Sequence, residues 1–204
     1  MHIQVKHIKN SELKTNKWSG GTTTQIAIFP ENSSYSERTF DWRISTATVD
    51  VESSDFTILP GVKRFITSLK GDLKLVHQGH HTSSLSPYEV DIFNGDWQTK
   101  SYGKVTDFNL MVRGTNQGHM SSVQLMPSTP QEIYFKSGQA SNNVRALGIY
   151  AFEQDLYIKV DGIPYNLNDG DFILVQVTNL KQDQMPLIQA TSEQECKVCI
   201  VEIN

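Results

Sequence analysis

The stretch from residue 41 to residue 49 places a cation among small side chains at the spacing of a β-strand. Alternate side chains of a strand point to the same side, so Arg43, Ser45 and Ala47 share one face. A long cation beside small neighbours leaves room for a ligand. Polar strand faces more often meet water, however, and that interpretation stays open for Arg43.

The stretch from residue 107 to residue 113 divides more sharply into two faces. One face carries Asp107, Asn109, Met111 and Arg113, and the other carries Phe108, Leu110 and Val112. The apolar face is typical of a strand that packs on a core. The polar face brings a carboxylate, an amide and a cation to one small region, which suits either a ligand pocket or a solvated surface.

The elements that must position these residues are short β-strands. Nearly every periodic segment alternates with period two, and Gly, Asn, Asp, Ser and Pro occupy the gaps between segments. We allow one short helix, around residues 10–17. Regular short strands joined by tight turns indicate a sandwich or barrel. The sequence therefore predicts an all-β fold.

A weak internal repeat predicts two similar lobes. Residues 72–93 read as a strand, a glycine turn and a returning strand, and residues 155–174 repeat this pattern in shorter form. The connecting stretch 113–130 is rich in Gly, Ser, Thr, Asn and Pro. We expect an N-terminal lobe over residues 1–115 and a C-terminal lobe over residues 116–204, with exchange of strands between them left open.

Composition narrows the classes of function. The formal net charge of −4 and the isoelectric point near 5.8 argue against a protein that binds nucleic acid. No window approaches the roughly 18 apolar residues of a membrane span, and the N-terminus lacks the apolar segment of a signal peptide. We expect a soluble, cytoplasmic protein with no membrane partner. Cys196 and Cys199 lie on a predicted strand, point to opposite faces and are expected to be free thiols.

Five motifs occur in one order over residues 18–113. They are W-S-G-G-T-T at 18–23, F-D-W-R-I-S-T-A at 40–47, L-P-G-V-K-R at 59–64, F-N-G-D at 93–96 and D-F-N-L-M-V-R at 107–113. This set resembles the signatures of the HutD/Ves family. The resemblance implies a bicupin, with two jelly-roll-like lobes in one compact unit. It also implies a protein proposed to bind N-formylglutamate or a similar intermediate and to restrain histidine utilisation, or one linked to stress.

The resemblance would direct the polar strand faces into the lumen of a cupin barrel. Arg43, Arg64 and Arg113 then become candidate clamps for an anion, because planar guanidinium groups bind carboxylates through paired hydrogen bonds. Trp18 and Thr22 would form a pocket wall, although a tight glycine turn with Trp18 capping the core explains them equally well. The predicted ligand-binding residues are Trp18, Thr22, Arg43, Ser45, Arg64, Asp107, Asn109, Met111 and Arg113.

The histidines do not fit the metal-binding pattern of cupins, in which an H-x-H pair is followed by a Glu and by a third His. His80 and His81 are adjacent at a hairpin tip. The others, His2, His7, His77 and His119, are scattered. We therefore predict neither a metal nor a cofactor. A nucleophile elbow, a P-loop and a dinucleotide-binding motif are also missing from the sequence.

The resemblance, together with the polar strand faces, implies a non-enzymatic protein that binds a small carboxylate, such as N-formylglutamate, and modulates histidine utilisation or a stress response. The alternative is a metal-independent cupin enzyme, an isomerase or hydrolase with Asp107 as general base. Nearby arginines should lower the pKa of Asp107 and make it a weak base. A third hypothesis is an interaction module that forms a homodimer through strand edges.

Overall fold

A computed structural model describes residues 2–136, 144–178 and 185–204 of the chain. These residues form β-strands and one 3-10 turn, Asn10–Glu12. Among them, no helix has the length and apolar character needed to cross a membrane. The predicted all-β fold class is confirmed.

The strands are defined in chain order. They are β1 (His2–Ile8), β2 (Lys14–Trp18), β3 (Gly21–Phe29), β4 (Trp42–Val49), β5 (Ser53–Asp55), β6 (Val62–Lys70), β7 (Leu73–His77), β8 (Thr82–Leu85), β9 (Val90–Asn94), β10 (Thr99–Tyr102), β11 (Val105–Arg113), β12 (Gly118–Leu125), β13 (Gln131–Ile133), β14 (Val144–Tyr150), β15 (Leu156–Val160), β16 (Ile163–Leu167), β17 (Phe172–Thr178), β18 (Ile188–Thr191) and β19 (Cys196–Ile203).

Residues 13–120 form the N-terminal unit, which contains two sheets. The six-stranded sheet has the order β2-β3-β4-β11-β6-β9, and the four-stranded sheet has the order β5-β10-β7-β8. Ile66 and Phe93 of the first sheet share one apolar cluster with Leu73 and Leu75 of the second. The two sheets therefore bury their apolar faces against each other, as in a β-sandwich.

The C-terminal unit consists of residues 2–12, 121–136, 144–178 and 185–204 and also contains two sheets. Their orders are β1-β17-β14-β19-β12 and β13-β18-β15-β16. The core of this unit includes Leu147 and Ile149 from the first sheet and Ile158 from the second. The strand β1 pairs along its whole length with β17. Residues 2–12, which the sequence-based boundary assigned to the N-terminal lobe, thus belong to the C-terminal unit.

The region predicted to be helical, residues 10–17, is largely extended. One 3-10 turn covers Asn10–Glu12, and β2 begins at Lys14 and pairs with β3. Across this hairpin the hydroxyls of Thr15 and Thr24 lie 2.7 Å apart. Threonine favours extended backbone, and the hairpin supplies hydrogen-bond partners that a helix would otherwise provide internally. The helix prediction was wrong because local spacing did not reveal the partner strand.

The two cysteines lie on β19 and are free, as expected. Cys199 is buried, and burial raises the pKa of its thiol well above the ordinary value. The thiol is therefore kept protonated as a small apolar core group.

Candidate functional site

The candidate site is built on the neighbouring strands β4, β11 and β6, with β11 in the middle. Met111 is the register partner of both Arg43 on β4 and Arg64 on β6, so these side chains form one row across the sheet. The next two rows pair Asn109 with Ser45 and Asp107 with Ala47. Alternation along each strand turns all of these side chains to one face.

This face borders a cavity of about 420 Å³ in the N-terminal unit. That volume lies in the range of small-molecule sites, which combine apolar walls with a few placed polar groups. The charged groups of the wall come from the strands β4, β6 and β11, together with Lys17 and Asp55. The cavity is therefore wide enough for a metabolite and is polar on its sheet side.

Arg43 is buried and held by three neighbours. Its Nε donates to Gln25 Oε1 and its Nη1 donates to Ser45 Oγ, each at 2.9 Å. Its Cζ lies 4.3 Å from the centroid of the Tyr35 ring, within the range of a cation–π contact. Burial lowers the pKa of Arg43, whereas Tyr35 and Asp107 oppose that shift. The guanidinium is thus fixed in position before any ligand arrives.

Arg64 is buried next to two phenylalanine rings and has a donor without a partner in the described part of the chain. Its Cζ lies 4.4 Å from the Phe56 centroid and 5.2 Å from the Phe93 centroid. Its Nε is buried and has no hydrogen-bond partner within the described part of the chain. Burial lowers the pKa of Arg64 to about 10, so the group keeps its charge at neutral pH. An unpaired buried donor on a cation is costly, and an acceptor from a ligand would remove that cost.

Asn109 supplies the complementary feature, an acceptor without a donor. Its side chain is buried on the cavity wall, and its Oδ1 has no hydrogen-bond partner among residues 2–136, 144–178 and 185–204. Nearly all buried polar groups in proteins are paired, so an unpaired acceptor facing a cavity indicates a missing donor. A ligand that carries both an acceptor and an N–H or O–H group would therefore supply partners for Arg64 Nε and Asn109 Oδ1.

Asp107 is buried on the same wall, and burial raises its pKa to about 7 even though Arg64 and Arg43 pull it down. The two arginines lower this pKa as expected, but the predicted net lowering is wrong because burial has the larger effect. The cost of removing the carboxylate from water outweighs the attraction of the two cations. Near neutral pH, Asp107 is divided between its acid and carboxylate forms and can either donate or accept a proton.

Trp18 lies at the end of β2, on the cavity wall, with 40% of its surface exposed. A Cβ on Gly20 would come within 2.2 Å of the Trp18 ring, so the absence of a side chain lets the indole lie across the turn. Gly21 has a φ of 152°, and a Cβ there would lie 1.9 Å from the carbonyl oxygen of Thr48. The loop is thus a tight glycine turn whose Trp18 forms part of the wall.

Two of the predicted site residues, Thr22 and Arg113, lie away from the cavity. Thr22 precedes Thr23, whose side chain lines the cavity, and successive strand side chains point to opposite faces. Arg113 ends β11, donates to the carbonyl of Arg38 and lies 5.9 Å from the Phe40 ring centroid. The structure brings the other predicted residues together on the cavity wall, namely Trp18, Arg43, Ser45, Arg64, Asp107, Asn109 and Met111.

Several residues of the site were not predicted. Tyr35 comes from the connection between β3 and β4, and Phe56 follows β5, so neither belongs to a periodic pattern. Lys17 adds a cation to the wall from β2. Gln25, which orients Arg43, lies two residues after Thr23 on β3, and this alternation is the one signal that could have identified it.

A second concavity, of about 540 Å³, belongs to the C-terminal unit. Its wall carries the acidic residues Glu153, Asp155 and Glu193. Carboxylates repel an anion, so this surface does not share the chemistry of the arginine-lined cavity.

Potential metal ligands converge at one place in the described part of the chain. One group of three or more ligating side chains lies close enough to share an ion, and it consists of His77, His81 and Asp91. None of these residues lines the arginine-lined cavity. The wall of that cavity instead presents guanidinium and amide groups.

The sequence profile of the HutD family matches residues 10–196. A relative described as an uncharacterized 21.2 kDa protein in the hutC 3' region of Pseudomonas putida is 29% identical over 126 residues, covering 54% of this chain and 66% of the relative. Protein Ves of Citrobacter koseri is 32% identical over 109 residues, covering 50% of this chain and 54% of Ves. The chain thus aligns to less than two-thirds of the length of either relative.

Solved structures with the same fold align over nearly the whole chain. A conserved protein of unknown function from Pseudomonas aeruginosa PAO1 has a TM-score of 0.78 at 22% identity, covering 98% of this chain and 99% of that one. HutD from Pseudomonas fluorescens SBW25 has a TM-score of 0.68 at 21% identity, covering 98% of both. The bacterial pirin YhhW of Escherichia coli, solved with nickel(II), has a TM-score of 0.64 at 9% identity, also covering 98% of both. These similarities establish the cupin-type fold.

Proposed function

Because the match to the HutD profile covers most of the chain, this protein belongs to the HutD family, and we propose that it binds a small carboxylate in the cavity of its N-terminal unit. The observation that carries the proposal is a pair of buried polar atoms on one wall, Arg64 Nε and Asn109 Oδ1, that have no hydrogen-bond partner among the described residues. A carboxylate supplies the acceptor that Arg64 lacks, and an adjacent N–H supplies the donor that Asn109 lacks.

An N-acylated amino acid such as N-formylglutamate carries both of these groups close together. Its carboxylates would be attracted by Arg43 and Arg64, and its amide N–H would donate to Asn109. Trp18 and Met111 offer apolar area for the methylene groups. The local charge supports an anion as well, because both arginines stay protonated while Asp107 is only partly ionised.

The biological role that we propose is sequestration or sensing of such an intermediate, with modulation of histidine utilisation or of a stress response. The relative from Pseudomonas putida is described as lying in the hutC 3' region, which supports the link to histidine utilisation. Binding without turnover suits this role, since a preformed pocket can report a metabolite concentration through occupancy alone.

The test is calorimetric titration of the full chain with N-formylglutamate and with glutarate, accompanied by thermal melts. Glutarate keeps the two carboxylates but lacks the amide, so it leaves Asn109 unpaired and should bind about tenfold more weakly. Arg43→Gln should weaken the binding of both ligands by at least about tenfold, because a hydrogen bond to a charged group contributes roughly 1.5 to 3 kcal/mol. Bound ligand should raise the melting temperature by mass action.

The matched control is Lys63→Gln, which removes a cation next to Arg64 from the opposite, exposed face of β6. It should leave both affinities unchanged. The unliganded melting temperature and circular dichroism of Arg43→Gln establish that the variant is folded. If wild type and folded Arg43→Gln bind the ligands with equal affinity, the proposed site is contradicted. If wild type binds neither N-formylglutamate nor glutarate, the proposed ligand class is contradicted.

A second candidate function is that of a metal-independent enzyme, and one observation favours it. Burial raises the pKa of Asp107 to about 7, close to the value at which a general base is most effective at neutral pH. Time-resolved proton NMR of N-formylglutamate and urocanate with the protein checks this alternative. Turnover that Asp107→Asn abolishes, with ligand affinity retained, supports the enzyme. Stable substrates over hours support binding alone.

A further inference from the structure

We propose that His77, His81 and Asp91 form a site for one divalent transition-metal ion such as Zn²⁺, distinct from the arginine-lined cavity and independent of its function. His77 ends β7, His81 precedes β8 and Asp91 lies on β9. Strands of both sheets of the N-terminal unit thus contribute to the group. Two imidazoles and one carboxylate are a ligand set that borderline metal ions such as Zn²⁺ and Ni²⁺ use in proteins.

The distances place the three side chains around one point. His77 Nε2 lies 2.8 Å from Asp91 Oδ2, and His81 Nε2 lies 3.1 Å from Asp91 Oδ1. All three ligand atoms lie within 4.8 Å of one another. Ligands at about 2.05 Å in a tetrahedral Zn²⁺ site are about 3.3 Å apart. Small side-chain rotations are therefore enough to enclose an ion.

The turn between β7 and β8 fixes the spacing of the two histidines. The amide of His77 donates to the carbonyl of His81 at 2.9 Å, and the amide of His80 donates to the carbonyl of His77 at 3.0 Å. Gly79, with a φ of 78°, permits this tight geometry. His77 and His81 are consequently opposite each other across the turn, and their ring centroids are 4.5 Å apart.

The surroundings orient the ligand atoms in the way that metal sites require. His77 Nδ1 lies 2.8 Å from Thr99 Oγ1, and that hydroxyl is placed to donate to the carbonyl of Trp97 at 3.3 Å. This chain permits the tautomer that protonates Nδ1 and leaves Nε2 free to bind an ion. Asp91 Oδ1 accepts the amide of Ile92 at 2.9 Å, which holds the carboxylate in place.

One side of the group is accessible. The His77 side chain is fully buried and that of Asp91 is 9% exposed, but 42% of the His81 side chain is exposed. An ion held here would keep at least one coordination position open to water or to a small ligand, as in sites where the metal is reactive. Trp97 borders the site, with its ring centroid 5.7 Å from that of His81, and offers a fluorescence reporter.

The test uses the tag-free full chain, freed of metal with a chelator and titrated with Zn²⁺ by calorimetry and with Co²⁺ by visible absorption. We expect one ion per chain, a Co²⁺ absorption band typical of nitrogen and oxygen ligands, and loss of that band when Zn²⁺ is added. His81→Gln and Asp91→Asn should each weaken Zn²⁺ binding by about 100-fold or more, because each removes a direct ligand. Mutation of residues that only hydrogen-bond to a metal ligand already lowers metal affinity by about 10 to 100-fold.

The matched control is His80→Gln, in the same turn. The His80 ring stacks on Trp97 at 3.8 Å and is not a member of the ligand group, so its removal should leave Zn²⁺ affinity unchanged. His81 is partly exposed, so His81→Gln should fold even if Asp91→Asn does not. Absence of saturable binding to wild type would overturn the proposal. Zn²⁺ binding that is unchanged in His81→Gln would also overturn it, and so would Zn²⁺ binding that is lost in His7→Gln. In either case the ion would lie elsewhere.

Discussion

Arg43 and Arg64 are buried cations that the protein accommodates by different means. Arg43 donates hydrogen bonds to Gln25 and Ser45. Arg64 lies over the faces of Phe56 and Phe93, and its Nε has no hydrogen-bond partner in the part of the chain that the structure describes. Aromatic faces attract a cation but satisfy no N–H group. Arg64 is therefore the arginine that gains more from a bound carboxylate, and Arg43 is the one that is better fixed in advance.

Asp107 should make the stability of the unliganded protein fall as pH rises. Its folded pKa of about 7 lies above the ordinary value of 3.8, so the folded state holds the proton more tightly than the unfolded state. Between pH 4 and pH 7 the free energy of unfolding should decrease by on the order of 4 kcal/mol from this group, because each pKa unit corresponds to about 1.4 kcal/mol. Urea unfolding at several pH values measures the effect.

The control for this prediction is Asp107→Asn, which keeps the shape of the side chain and removes the titration. Other carboxylates, such as Asp171, also respond to pH, and their contributions cancel when wild type and variant are compared at each pH. The stability of wild type relative to Asp107→Asn should decline from pH 4 to pH 8. Parallel stability curves would mean that Asp107 is already ionised in the folded protein at pH 4.

At the scale of elements, the turn between β2 and β3 depends on two glycines for different reasons. Gly20 leaves space for the Trp18 ring, which is the movable end of a side chain. Gly21 leaves space for the backbone carbonyl of Thr48, which cannot move without breaking the pairing of β3 with β4. The two positions should therefore respond differently to the same added methyl group.

Gly21→Ala should lower the free energy of unfolding by roughly 3 kcal/mol, since it combines a backbone clash with an unfavourable φ. Gly20→Ala should lower it less, while displacing Trp18 and shifting the tryptophan fluorescence. Gly79→Ala is the matched control, because its φ of 78° is also unfavourable but a Cβ would meet nothing within 4 Å. Denaturant melts rank the three variants, and equal losses for Gly21→Ala and Gly79→Ala would exclude the clash.

The sequence predicted those parts of the site that lie on regular strands. Alternation placed Arg43 with Ser45 and Asp107 with Asn109, and the register of β4 and β11 joins these pairs. The same rule would have separated Thr22 from Thr23 had the start of β3 been known. Arg113 was included in the predicted site because alternation assigns a side chain to a face of the sheet but does not show where along that face the cavity ends.

Contacts that depend on loops or on a third strand could not be predicted from the sequence. Tyr35 covers Arg43 from a connection without periodicity. In the sequence, His77 stands apart from the adjacent residues His80 and His81, yet a turn centred on Gly79 makes His77 and His81 partners across a hairpin. Asp91 joins them from another strand. Spacing within one segment reveals a shared face, whereas convergence of several segments requires the tertiary register.

At the scale of the whole molecule, chain order and structural unit do not coincide. The strand β1 completes the five-stranded sheet of the C-terminal unit by pairing with β17. Asp171, just before β17, accepts the amide of Asn10 and contacts His7 Nε2, each at 2.8 Å. Burial alone would raise the pKa of Asp171, but these partners and the amide of Asn168 lower it below its ordinary value. The first segment of the predicted N-terminal lobe, residues 2–12, therefore lies in the C-terminal unit.

Removal of residues 1–9 should expose one edge of β17 while its pairing with β14 remains. Alternate amides of a central antiparallel strand point to opposite neighbours, so about half of the β17 amides should lose their partners and exchange faster with deuterium. Amides of β4 and β11 serve as the internal reference. Gln4→Ala in the full-length chain is the control, because it changes an exposed side chain and keeps the backbone pairing. Unchanged protection of β17 after the deletion would show that β1 does not hold this sheet edge in solution.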